Sequence, residues 1–263
     1  MAQKLKILTW NCNGAFRKKY TTLTSAGADI YVIQECENPE LSKDEGYKEW
    51  AKNAIWVGDN KNKGLGIFVK DGVFITDLQW DTAGLKHFIA CRINGEFNLI
   101  VTWCHGADLP NYQYIGQFWK YLQLHKLKFE KCIIAGDFNS NAIWDKKSRS
   151  WNHSDVVREL DEIAVVSLYH KYYEQIQGEE HHPTFYLQKN LQKPYHLDYV
   201  FASVDFAAKM IDFNIGLCDD WLVRSDRLPL HVQFEISIEY TLVFLNPCYT
   251  KERLLTRFGY DTR

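Results

Sequence analysis

The sequence predicts an α/β protein in which two mixed β-sheets pack face to face with helices outside. Three observations carry this reading. Apolar strand-like runs come in pairs, segments with helical periodicity separate the pairs, and polar residues recur where the strands end.

Residues 4–10 read as a first strand, and 28–34 (Ala-Asp-Ile-Tyr-Val-Ile-Gln) as a second, almost continuously apolar one. Between them, 17–26 reads as a helical segment ended by Gly27. Residues 66–70, 86–93 and 97–103 give further strands, and Asn94-Gly95 between the last two is a strong hairpin turn. The clearest helix runs from about 112 to 125, where Ile115, Phe118, Trp119 and Leu122 recur at helical spacing. Ser154 reads as the N-cap of a helix carrying Val156, Val157, Leu160 and Ile163. Strands at 184–187, 196–202, 210–215 and 232–238 complete the set. The last alternates, with Val232, Phe234, Ile236 and Ile238 on one face and Gln233, Glu235 and Ser237 on the other. The candidate breaks at 61–64 and 146–150 are short and read as surface loops, so residues 1–263 are expected to form one domain.

Hydrophobic residues make up 46% of the 263, enough for a substantial core. The formal net charge is −2, so no global basic field announces a nucleic-acid binder; a phosphate-binding surface must be local or metal-supplied. Seven cysteines without Cys-x-x-Cys spacing suggest reduced thiols rather than a disulfide framework or zinc site. The N-terminus lacks the apolar core of a signal peptide and no stretch approaches a membrane span, which makes the cytoplasm the expected location and a monomer the default state.

Gly136-Asp137-Phe138-Asn139-Ser140 is the most informative stretch. It follows the apolar run Cys132-Ile133-Ile134-Ala135, so Asp137 and Asn139 sit where a buried strand opens into a loop and can converge on a ligand. Asp and Asn also make turns for purely local reasons. Other strand ends repeat the pattern: Trp10-Asn11-Cys12-Asn13-Gly14, Gln34-Glu35, Cys104-His105-Gly106, His196-Leu197-Asp198-Tyr199 and Ser225-Asp226. Asp198 is the hardest to explain as mere structure, because a carboxylate flanked by Leu197 and Tyr199 in an apolar strand needs a partner.

In order and spacing these stretches resemble the endonuclease/exonuclease/phosphatase superfamily of metal-dependent phosphodiesterases, from Trp10-Asn11 to Pro229. The resemblance implies a four-layer α/β sandwich with the site at one edge of the two sheets. It implies Mg²⁺ or Mn²⁺ held by Glu35 with help from Asn11 and Asp226, a shell of hard oxygens. Asp137 would orient or deprotonate the attacking water, Asn139 would hydrogen-bond the phosphate, and His105 would contact the phosphate or donate a proton. Asp198 would buttress a catalytic histidine, with Asn13, Asn141 and His196 as substrate contacts. Here the chain departs from the pattern: Ser225-Asp226-Arg227-Leu228-Pro229 has arginine where the family has histidine. Arg227 stays protonated, so it can pair with Asp198 and stabilise charge but cannot exchange a proton. An engineered change, a natural loss of activity and a natural variant using another proton donor all fit. The implied activity is hydrolysis of nucleic acid, DNA first. A phosphoesterase on a small or lipid substrate and an inactive binding protein on the same fold remain open. Trp144, Trp151 and Tyr186 could stack on bases, but with nine Trp and fifteen Tyr some lie near any site, and the bland reading is favoured. Lys146, Lys147 and Arg149 could meet a phosphate backbone, although such a run is usually a solvated loop.

Overall fold

The structure, a computed structural model, describes residues 2–106 and 112–237. In chain order the first seven strands are β1 (Ala2–Asn11), β2 (Ile30–Cys36), β3 (Ala54–Asn60), β4 (Lys63–Val69), β5 (Ile75–Asp77), β6 (Phe88–Ile93) and β7 (Phe97–Trp103). They are followed by β8 (Cys132–Asp137), β9 (Val165–Ser167), β10 (Phe185–Tyr186), β11 (Pro194–Tyr195), β12 (Asp198–Ser203), β13 (Met210–Ile215) and β14 (Leu230–Ser237). The helices are α1 (Glu45–Trp50), α2 (Ile115–His125), α3 (His153–Glu162), α4 (Leu168–Tyr173), α5 (Val204–Ala207) and α6 (Cys218–Trp221).

Two six-stranded mixed sheets result, with orders β13-β14-β1-β2-β4-β3 and β5-β6-β7-β8-β12-β9; β10 and β11 form a separate two-stranded ribbon. Each large sheet has one parallel pair at its centre, β1 with β2 and β7 with β8. The side-chain period of two explains how the sheets pack. Leu5 and Ile7 of β1, Ile30 and Val32 of β2, Ile133 and Ala135 of β8 and Val232 and Phe234 of β14 join one buried layer between the sheets. The opposite face of the second sheet, including Ile134 and Phe201, packs on Phe118 and Leu122 of α2 and on Val156 and Leu160 of α3. The outer face of the first sheet, including Leu8, Trp10, Ile33 and Phe68, packs on Phe16, Leu23 and Tyr47. The four-layer sandwich follows from these three apolar layers.

Several local expectations change. The segment read as helix at 17–26 forms two 3₁₀ stretches, Phe16–Lys18 and Tyr20–Ala26, ended by Gly27 at φ 58°. Thr21, Thr22, Thr24 and Ser25 are poor α-formers whose hydroxyls compete for the backbone, and Thr22 Oγ1 donates to the Lys19 carbonyl at 2.7 Å. The N-cap of α3 is Asn152, not Ser154; Asn152 and Asp155 close a reciprocal capping box. Within the expected loop at 61–64 only residues 61–62 form the exposed turn from β3 to β4; Lys63 and Gly64 already belong to β4, with Asn60 paired to Lys63. Residues 196–197 precede β12, while Ile238 lies outside the described residues. Among the described residues Cys12, Cys36, Cys91, Cys104, Cys132 and Cys218 are free, all but the last buried. No helix among the described residues is long and apolar enough to cross a membrane.

Candidate active site

Six polar residues from five strand ends meet where the two central parallel pairs face each other. Asn11 closes β1 beside Gln34 of β2, and Asp137 closes β8 directly opposite Asp198, the first residue of β12. One amide nitrogen ties the two sheets together: Asn11 Nδ2 donates to Glu35 Oε1 at 3.1 Å and to Asp137 Oδ2 at 2.9 Å. The Asn11 side-chain oxygen accepts from the Asn13 backbone N–H at 3.0 Å. A ladder irregularity between Gln34 and Cys36 re-aims Glu35, whose φ is 62°. Bulges and left-handed non-glycine residues of this kind are costly and cluster at working sites. Asn13 (φ 53°) and Asn139 (φ 46°) share the conformation, which asparagine tolerates better.

Asp137 and Asp198 oppose each other on adjacent antiparallel strands, an arrangement that repels unless a cation stands between them. Arg227 is that cation. Its guanidinium lies 3.0 Å from Asp137 Oδ2 and 3.1 Å from Asp198 Oδ2, and donates to Asn139 Oδ1 at 2.6 Å. Asp137 is fully buried, and Asp198 and Arg227 nearly so. Burial drives the Asp137 carboxyl well above its ordinary range and neighbouring Asp198 adds to this, while Arg227 and the hydrogen bonds from Asn11 and the Asn139 backbone pull it down. Asp198 is raised by burial and opposed by Arg227 and Thr184. Burial works against the charge on Arg227, but Asp137, Asp198 and Asp226 outweigh it and keep the guanidinium charged.

The remaining ligands of this cluster fix its geometry. Thr184 Oγ1 donates to Asp198 Oδ2 at 2.6 Å and accepts from the backbone N–H groups of Leu197 and Asp198. Asn139 Nδ2 donates to the Cys104 carbonyl at 2.7 Å and to Asp137 Oδ2 at 3.1 Å. Ser225 Oγ donates to the Asn11 carbonyl at 2.8 Å and accepts from the Arg227 backbone N–H at 3.0 Å, joining the loop before β14 to the end of β1. Half-buried Asp226 follows in that loop. Gly136 is required by contact: a Cβ there would lie 1.9 Å from the Thr102 carbonyl oxygen of β7.

His105 lies at the same end of β7. Its Nε2 is 2.7 Å from His87 Nδ1, and Nδ1 is 2.7 Å from the Gly106 carbonyl. Two expected substrate contacts do not join this cluster. Asn141 is buried, with its amide nitrogen donating to Glu180 Oε2, the His196 carbonyl and Tyr199 Oη. His196 is buried too, packed on Tyr169 and Tyr199. Both belong to a network that braces α4 and the 180s loop, with His196 Nδ1 2.8 Å from the His182 carbonyl. The basic run is also partly structural: Arg149 Nε donates to Asn152 Oδ1 and its guanidinium stacks on Trp151, closing the α3 cap.

Sequence reasoning missed Thr184, Phe185 and Lys63. Phe185 lies under Arg227, 4.2 Å from ring centroid to guanidinium carbon, and the Phe185, Tyr195 and Trp144 rings continue outward at 6.3 and 5.2 Å. Lys63 Nζ lies 2.7 Å from Glu35 Oε2. Only the β2–β4 pairing, with Cys36 opposite Gly64, could have shown that Lys63 reaches Glu35.

The donor set fits a hard divalent cation. Among the described residues no three Asp, Glu, His or Cys side chains gather as a cage. Glu35 and Asn11 nevertheless meet at one point, with half-buried Asp226 close enough to act on Arg227 and Asp198, and all three carry hard oxygens. The chain belongs to the endonuclease/exonuclease/phosphatase family, whose model matches residues 8–212. It is similar in fold to an AP endonuclease from Archaeoglobus fulgidus, with TM-score 0.64 and 18% identity over 88% of this chain and 100% of that one. A 3'-5' exonuclease from Neisseria meningitidis matches with TM-score 0.60 and 19% identity over 88% and 100% of the two chains. A 3' phosphatase from Neisseria bound to a product DNA hairpin matches with TM-score 0.60 and 18% identity over 88% and 99%. No curated protein matches the sequence significantly.

Proposed function

We propose that this protein is a divalent-cation-dependent phosphoesterase that hydrolyses phosphodiester bonds of DNA. The observation that carries the reading is the single hydrogen-bonded cluster of Asn11, Glu35, Asp137, Asn139, Asp198 and Arg227 across both sheets. DNA as substrate is supported by the family and by the printed activities of the fold neighbours. Buried free thiols support work in a reducing compartment such as the cytoplasm.

Glu35, Asn11 and Asp226 would hold Mg²⁺ or Mn²⁺, which when bound supplies Lewis-acid polarisation of the phosphate and charge stabilisation of the leaving oxygen. This chain's own residues do the rest. Arg227 and Asn139 bind non-bridging phosphate oxygens, Arg227 through donors already fixed by Asp198 and stacking on Phe185. A phosphate that shares the guanidinium weakens the counter-charge on Asp137. The proton affinity of Asp137 then rises, and it takes the proton of the attacking water. His105, as an imidazolium released from His87 at Nε2, would donate its own proton to the leaving oxygen, the step that Arg227 cannot perform. It is reprotonated from solvent, and Asp137 gives up its proton to solvent on product release. The Phe185, Tyr195 and Trp144 rings offer faces for the adjoining sugar or base.

A second reading, nucleic-acid binding without turnover, draws on one observation: Asp137, Asp198 and Glu35 already have protein cations as partners. One experiment separates the readings. Labelled duplexes carrying an abasic site, a 3'-phosphate or an intact 3' end, beside a small phosphomonoester, are incubated with Mg²⁺, Mn²⁺ or EDTA. Cleavage of a duplex that EDTA stops is the expected result. Binding without cleavage supports the second reading, and hydrolysis of the small ester alone overturns DNA as the substrate.

A further inference from the structure

Lys63 is the cation that neither the sequence motifs nor the proposed reaction uses. It opens β4 just past the β3–β4 turn, and its ammonium sits between the sheets' ends, 2.7 Å from Glu35 Oε2 and 5.6 Å from the Trp103 ring centroid. Both Glu35 carboxylate oxygens are therefore taken, one by Lys63 and the other by the Asn11 amide. The two partners differ in freedom. Asn11 is buried and tied through Asn13, whereas the Lys63 side chain is 47% exposed on a flexible stem. Glu35 at 16% exposure is the more fixed member of the pair.

A divalent ion at Glu35 Oε1, beside Asn11, and an ammonium on Oε2 would repel each other across one carboxylate, so each weakens the other's hold. The half-exposed ammonium has open solvent to enter, whereas the largely buried Glu35 stays in place. We propose that Lys63 is a displaceable internal counter-ion of Glu35: it holds the carboxylate in register while no metal is bound and competes with the divalent cation for it. Lys63 thereby sets the cation concentration at which the site fills. The inference rests on the assignment of Glu35 as a metal ligand.

The test is Mn²⁺ binding to the full chain, read from the electron paramagnetic resonance of free Mn²⁺, for wild type, Lys63→Met, Lys63→Arg and Glu35→Gln. Lys63→Met should bind Mn²⁺ roughly three- to fivefold more tightly, the scale expected for removing a competing, partly exposed charge. Lys63→Arg, which keeps the charge, should stay within about twofold of wild type, a result that loss of packing alone would not give. Raising ionic strength should shrink the difference between wild type and Lys63→Met. Equal or weaker Mn²⁺ binding by a folded Lys63→Met overturns the inference. Unchanged Mn²⁺ binding by Glu35→Gln instead overturns the metal assignment, and absence of binding by every form overturns both.

Discussion

Arg227 stands where the resemblance implies a proton-exchanging histidine, and the consequences begin with that one permanent charge. It holds apart two buried carboxylates that face each other across a ladder, so Arg227→Ala leaves both uncompensated. Breaking a buried pair in this way costs about 3–5 kcal/mol, and a large fall in Tm is expected. Arg227→His should be less destabilised than alanine and should raise turnover above wild type, because imidazole exchanges protons near neutral pH. The predicted order of turnover is histidine, arginine, alanine, measured on one oligonucleotide at saturating Mg²⁺. Arginine outperforming histidine would mean that its phosphate contacts outweigh proton exchange at this position, and the impaired-site reading would fail. That Asp137, Asn139 and Asp198 belong together was legible because each follows or interrupts an apolar run, where a polar residue needs a reason, whereas Arg227 stood out through the Ser225–Pro229 motif. Asn141 shows the limit of that logic: it stands two residues beyond Asn139, yet its amide turns inward to Glu180 and Tyr199. Lys63 was illegible because its partner is set by strand pairing, not by spacing along the chain.

At the scale of elements, two contacts decide whether the site is delivered in register. Gly136 lets β8 approach β7 closely enough to aim Asp137, and Gly136→Ala must push the Thr102 carbonyl aside. Little soluble folded protein, or a Tm lowered well beyond the typical point mutant's loss of about 1 kcal/mol, is expected. A Gly136→Ala protein with wild-type stability would contradict the tight β7–β8 packing. The capping box at Asn152 is a second point. Asn152→Ala removes the cap of α3 and the amide that donates to the Lys146 and Arg149 carbonyls, at a cost of about 1–2 kcal/mol in urea unfolding; Ser154→Ala should be near neutral. The strongly periodic elements, β1, β2, β7, β8, α2 and β14, were readable from apolar spacing. The half-buried strand β3 and the short helices α1 and α4 were not, because few of their side chains face the core and tertiary contacts fix them.

For the whole molecule, buried histidines make acid the weak side of stability. Burial pushes His87, His153 and His196 down to about 4, and partial burial does the same to His231. In the unfolded chain they titrate near 6.5, so between about pH 6.5 and 4 the unfolded state binds protons that the native state refuses. Stability present at neutral pH should therefore fall steadily over that window, and His153→Gln or His196→Gln should flatten the slope. A urea midpoint unchanged from pH 7 to 5 would contradict this. The four-layer architecture that buries these groups also brings the ends of β1, β2, β8 and β12 together, and on that convergence the functional account depends. It is tested most directly by the single-turnover rate of Asp137→Asn against wild type on the best-cleaved duplex in Mg²⁺, with Tm measured for both. The account predicts a rate lower by roughly 10²–10⁴-fold, the usual loss for a positioned base, with the fold retained. A fall of only two- or threefold in a folded protein would contradict it and leave Asp137 as a turn residue.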